Sequence, residues 1–102
     1  MDYVAFLRFR PSVAATERDA ALKRRASWQY PADMRLIAEY WPTSSEMQVV
    51  SIFSATEFAP VMQLVLEWSD VFDISVHPAV SVEDGLRIGE EVVGKLARLT
   101  QS

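Results

Sequence analysis

His77 is the chain's single histidine, and Asp73 and Ser75 precede it at alternate positions. Histidine is the one side chain whose ordinary pKa lies near neutrality, which makes it the natural proton carrier in a sequence without cysteine. In an extended segment, residues two apart project to the same side. Asp73, Ser75 and His77 therefore share a face if 71–77 is a strand. A carboxylate there would orient the imidazole and favour its charged form. Such a pair suits removal of a proton from a phenol or enol, with Arg8 or Arg35 stabilising the resulting oxyanion. His77 and Asp73 are the expected catalytic residues. The ordinary alternative is a histidine at a strand end, bonded to water or backbone.

Other chemistries find less support. One histidine with Asp73 and Glu39 lacks compact ligand spacing, so no metal is expected. No GxSxG elbow and no GxGxxG loop occurs, and no cofactor is expected. Trp28, Tyr30, Tyr40 and Trp41 flank Pro31 and Pro42 and offer stacking surfaces. Packing at element ends explains them equally well.

These residues need a scaffold. Residues 3–9 are rich in β-branched and aromatic types and stop before Pro11, a first strand. Residues 12–28 follow without internal proline or glycine. Thr16-Glu17-Arg18-Asp19 fits a capping box, with Ser12 as an equal start. Lys23, Arg24 and Arg25 read as a solvated helix end suited to the dipole. Residues 34–41 and 47–54 read as a hairpin joined by Pro42-Thr43-Ser44-Ser45. Pro60 opens an apolar helix over 60–69, and a strand over 71–77 stops at Pro78. Ser81-Val82-Glu83-Asp84 caps a last helix, which holds all three glycines, Gly85, Gly89 and Gly94. That helix is either a marginal tail or a close-approach seam against another element or subunit.

The order strand, helix, strand, strand, helix, strand is the ferredoxin-like βαββαβ pattern, an α+β fold with a four-stranded antiparallel sheet. Residues 1–80 form the domain and 81–102 its C-terminal helical extension. Alternation places Leu36, Ala38 and Tyr40 under the helices with Ala5, Leu7, Val49, Ser51, Phe53 and Phe72. The opposite face receives Val4, Phe6, Arg8, Arg35, Ile37, Glu39, Trp41, Val50, Ile52, Asp73, Ser75 and His77. So many apolar side chains mixed with charges are unusual for a wet sheet face. A second copy related by a two-fold axis would cover them and leave a partly polar chamber. Within one chain, the cover would be the last helix.

The opening YVAFLRFRP, the hairpin EYWP…MQVVSIFSA, the helix end Glu67-Trp68-Ser69-Asp70 and the strand DISVHPAV carry a resemblance. The chain resembles the dimeric α/β-barrel superfamily, and within it a family of short uncharacterised members, domain of unknown function 3303. The resemblance implies a homodimer and, across the superfamily, cofactor-independent monooxygenases, isomerases, cyclases and haem-degrading enzymes. The last group uses an asparagine, which this sequence lacks.

Half of the 102 residues are hydrophobic and 24% are charged, the profile of one globular domain. A formal charge of -4 argues against nucleic acid. No membrane-length apolar run occurs, and Arg8 and Arg10 interrupt any signal-peptide core, so a cytoplasmic protein is expected. The expected function is a homodimer binding a small aromatic or enolic molecule between its sheets. Phe6, Arg8, Arg35, Ile37, Glu39, Trp41, Val50, Ile52 and Ser75 would line that site around His77 and Asp73. The competing class is a non-catalytic assembly module docking through helix 60–69 and the glycine-bearing helix.

Overall fold

The computed structural model describes residues 1–100. The chain runs β1 (Asp2–Phe9), α1 (Ala15–Ser27), β2 (Met34–Tyr40), β3 (Val49–Ala55), α2 (Ala59–Trp68), β4 (Phe72–Ala79) and α3 (Val82–Thr100). The strands form one sheet in the order β2-β3-β1-β4, and every neighbouring pair is antiparallel. This is the ferredoxin-like α+β arrangement with a C-terminal helix. Among the described residues no helix is long and apolar enough to cross a membrane.

One sheet face is buried. Ala5, Leu7 and Phe9 of β1, Val49 and Phe53 of β3 and Phe72 of β4 pack with Ala21 of α1 and with Val61, Leu64 and Trp68 of α2. The α2 residues recur at helical spacing and make its inner stripe. Trp68 is the largest fully buried side chain. Burial of each large apolar side chain contributes roughly 1.5–3 kcal/mol, so this layer holds the fold.

Local signals decided most boundaries, and three differ from the sequence reading. No side chain caps α1, whose first turn is closed by the Ala14 carbonyl accepting from the amides of Glu17 and Arg18 at 3.0 Å. Thr16 lies inside that turn and forms no capping box. β4 continues through Pro78, which an edge strand tolerates because one side of its backbone needs no partner. The third difference matters most. The pairing of β2 with β3 shifts between Leu36 and Ala38: Leu36 pairs with Phe53, but Ala38 pairs with Ile52 and Glu39 with Ser51. Ile37 is the extra residue of a β-bulge. Such an insertion reverses the facing of everything after it. Glu39 therefore turns to the helix side, and Ala38 and Tyr40 turn to the open side.

Ser81 caps α3 as expected, its Oγ accepting from the Asp84 amide at 3.1 Å. The helix then leaves the body. It buries no residue. The molecule is 63 Å long but 30 by 18 Å across, with a radius of gyration of 17.8 Å. A compact chain of this length would be near ~13 Å. The last helix does not blanket the second sheet face, and among the described residues no element covers it.

Candidate functional site

Strand register sets the open face. Val4 pairs with Ile52 on one side and His77 on the other; Phe6 lies between Val50 and Ser75; Arg8 pairs with Asp73. Arg35 pairs with Ser54 at the far edge. The structure thus brings Phe6, Arg8, Val50, Ile52, Asp73, Ser75 and His77 onto one surface, with Arg35 at its margin. Val4, Phe6, Val50 and Ile52 are half-buried, and Ser75 and His77 are exposed. A hollow of about 290 Å³ opens at one end, lined by Phe6, Arg8, Glu46, Met47, Asp73, Ile74 and Ser75.

The charges there pair differently from the sequence reading. The Asp73 carboxylate faces Arg10 Nε at 3.4 Å and Arg8 Nη2 at 3.8 Å. It lies four residues along the strand from His77, or about 13 Å, so it is not the orienting partner of the imidazole. The ring beside His77 is Phe6, with centroids 6.0 Å apart. The guanidinium groups of Arg8 and Arg10 are balanced at the hollow by the carboxylates of Asp73 and Glu46.

Glu39 and Trp41, expected on this surface, are on the other side of the sheet because of the bulge at Ile37. Ile37 is itself 47% exposed at the irregularity. On the helix side, Glu39 anchors a polar cluster. Arg25 donates to Glu39 from Nη2 at 2.7 Å and from Nε at 3.2 Å, and to the Tyr30 hydroxyl at 2.7 Å. Tyr30 donates to Glu39 and shares a 2.6 Å contact with Ser51 Oγ. Trp41 Nε1 donates to Glu39 at 2.9 Å. The Arg25 guanidinium also lies against Trp28, Trp68 and Tyr30, 4.7, 5.0 and 5.2 Å from the ring centroids. Next to it is a hollow of about 450 Å³, walled on the helix side by Trp28, Tyr30, Leu36 and Trp41.

The electrostatics follow from this packing. Burial pushes the Tyr30 phenol up, the hydrogen bond to Glu39 adds to the effect, and its pKa reaches about 12. Burial alone would raise Glu39, but hydrogen bonds from Arg25, Tyr30 and Trp41 outweigh it and hold the carboxyl below its ordinary range. Arg25, read in the sequence as a solvated cation, has a side chain only 1% exposed. Lys23 and Arg24 of that run are exposed, and Arg24 grips Asp70 at 3.0 and 3.1 Å and lies 4.0 Å from the Trp68 ring centroid. Sequence reasoning missed Arg25 because helix-end basic runs usually face water. Its one signal was the aromatic cluster that follows, Trp28 and Tyr30.

The outer side of α2 is exposed and apolar, with Phe58, Met62 and Leu66 beside a hollow of about 390 Å³. The family model described as Domain of unknown function (DUF3303) matches residues 1–93, and the chain belongs to that family. No curated protein and no solved structure matches it.

Proposed function

We propose that this member of the DUF3303 family is a homodimer that pairs through the open faces of its two sheets and holds a small aromatic or enolic molecule between them. The observation that carries the reading is the bare sheet face itself. Val4, Phe6, Val50 and Ile52 form its apolar centre, and the bulge at Ile37 makes it more apolar by removing Glu39 and presenting Ala38 and Tyr40. A contiguous apolar patch rimmed by polar groups is characteristic of an association surface, and tyrosine is among the residues that dominate such surfaces. Packed against its twin, the face would enclose the hollow at Phe6, Arg8, Asp73 and Ser75. Arg8 would stabilise an oxyanion developing there. His77, beside Phe6, would accept the proton if the bound molecule is turned over as an isomerase, cyclase or cofactor-independent oxygenase substrate.

A second placement of the ligand is favoured by one feature. The bulge turns Glu39 and Trp41 toward the buried Arg25, at the mouth of an aromatic-walled hollow within a single protomer. Bulges commonly re-aim side chains beside functional sites.

Native mass spectrometry of the full chain reads the subunit count and any retained molecule. A dimer is expected, with Val50→Lys returning it to monomer; a wild-type monomer overturns the pairing. Titration with para-hydroxybenzoate, followed by tryptophan fluorescence, then locates the ligand. Loss of binding in Arg8→Ala with Trp41→Phe unaffected supports the chamber. The opposite pattern moves the ligand to the helix side. His77→Ala is expected to leave the dimer intact and to weaken binding or turnover.

A further inference from the structure

A hollow that holds a ligand needs polar groups that the fold has left unspent, and the two sides of the sheet differ in this. On the helix side the Glu39 carboxylate accepts four hydrogen bonds from within the chain, from Arg25, Tyr30 and Trp41. The hollow at Phe6 on the open side is the reverse. Glu46 lines it, and among the described residues its carboxylate pairs with no cation and accepts no hydrogen bond. Arg8 lines it too, and its guanidinium approaches Asp73 only to 3.8 Å, beyond hydrogen-bonding distance. Asp73 bonds instead to Arg10, at 3.4 Å. Phe6 and Met47, both half-buried, supply apolar surface. An apolar hollow with a few unspent polar groups is the usual form of a small-molecule site.

The segment that carries Glu46 is fastened to β1. The Glu46 amide donates to Ser44 Oγ at 3.1 Å, and Gln48 Nε2 donates to the Ser44 carbonyl at 2.9 Å. Gln48 in turn accepts from the Phe9 amide at 2.6 Å and donates its own amide to the Leu7 carbonyl at 2.9 Å. Those two residues flank Arg8. An unspent carboxylate and an unspent guanidinium are thus held at one hollow without pairing to each other.

We infer that the hollow recognises a one-ring hydroxyaryl carbonyl compound, whose hydroxyl donates to Glu46 while its carbonyl oxygen accepts from Arg8. The inference rests on the chamber reading above and names the class of molecule the chamber takes. In the open protomer, water satisfies both charges. A closed chamber excludes water, and a buried charge without a hydrogen-bond partner is costly. A molecule that brings a donor and an acceptor together removes both costs. One that lacks the donor strands Glu46, and a site built to bond a hydroxyl discriminates strongly against the analogue without it. The volume of about 290 Å³ lies at the small end of the range for ligand sites and suits a single ring.

Calorimetric titration of the full-chain wild type with meta- and para-hydroxyacetophenone, their methoxy counterparts and acetophenone tests this. At about pH 6 the phenols keep their proton. At least one hydroxyl isomer is expected to bind about tenfold more tightly than both its methoxy counterpart and acetophenone. Glu46→Met should erase that preference and retain acetophenone binding, whereas Arg8→Met should weaken every ketone. Glu46 is exposed and outside the core, and circular dichroism with native mass spectrometry checks that its variant keeps the fold and subunit count. Three results overturn the proposal and leave the pairing of sheets standing: equal binding of hydroxyl and methoxy compounds, no binding of any of them by a dimeric wild type, or a preference that survives Glu46→Met. A monomeric wild type overturns the chamber itself, and this inference with it.

Discussion

Removing the Glu39 carboxylate would leave the Arg25 guanidinium buried without its counter-ion. Stranding one partner of a buried pair costs about 3–5 kcal/mol, whereas replacing both by apolar groups is often neutral. Glu39→Leu should therefore lower the denaturant midpoint strongly, and Arg25→Met with Glu39→Leu should recover most of the loss. A single variant within about 1 kcal/mol of wild type would show that the pair is solvated. The same group sets an acid limit. Its folded-state pKa is depressed, so its contribution is present above the unfolded carboxylate value and is lost as pH falls through the folded one. Glu39→Leu should flatten the loss of stability below about pH 4. Tyr30 acts at the other end. With its pKa raised to about 12, its contribution is complete below the ordinary phenol value and is lost as pH rises through the folded one. Ultraviolet titration of the three tyrosines should show one component delayed to about 12 and removed by Tyr30→Phe. A single phenolic transition near the ordinary value would contradict the buried cluster.

The elements were largely legible in the sequence, and the β2 bulge was not, for a physical reason. Strand composition, the breaks at Pro11 and Pro42 and the Ser81 cap are local properties, and each reappears in the structure within a few residues, whereas Pro78 does not stop β4. A bulge is a property of pairing. Met34-Arg35-Leu36-Ile37-Ala38-Glu39-Tyr40 alternates plausibly in either phase and contains no glycine to mark the extra residue. What selects the phase is distant: Arg25 on α1 and Tyr30 beyond its end offer Glu39 polar partners, while the open face gives Tyr40 room. His77, Ser75, Phe6, Arg8, Val50 and Ile52 were placed correctly because their strands pair without interruption. Glu39 and Trp41 were misplaced by a single residue of register. Deleting Ile37 tests this reading. It should straighten β2, return Glu39 and Trp41 to the open face and strand Arg25, so stability should fall by at least the cost of Glu39→Leu. A deletion that leaves the unfolding midpoint unchanged would mean that the bulge does not direct Glu39.

At the scale of the molecule, the chain is a closed core carrying three exposed apolar surfaces, the sheet face, the outer side of α2 and α3. At about 100° per residue, Leu86, Gly89 and Val93 share the apolar half of α3, and Arg87, Glu91 and Gly94 the charged half. Each glycine in an exposed helix costs about 1 kcal/mol relative to alanine, so glycine-to-alanine changes separate a helix that stands alone from one that packs. Gly94 lies on the charged half, where an added Cβ would meet only the flexible end of Arg98 at 3.8 Å. Gly94→Ala should raise helicity by far-ultraviolet circular dichroism and leave association unchanged. Gly89 has even more room within the protomer, so Gly89→Ala should raise helicity by the same amount in dilute protein. Against a partner seated on the apolar half of α3, however, its methyl group would hold the two surfaces apart. Association should therefore weaken as helicity in the dilute protein rises. A helix that serves only as a solvated tail has no means of coupling the two with opposite sign. If Gly89→Ala and Gly94→Ala behave alike in both measurements, α3 approaches nothing at Gly89.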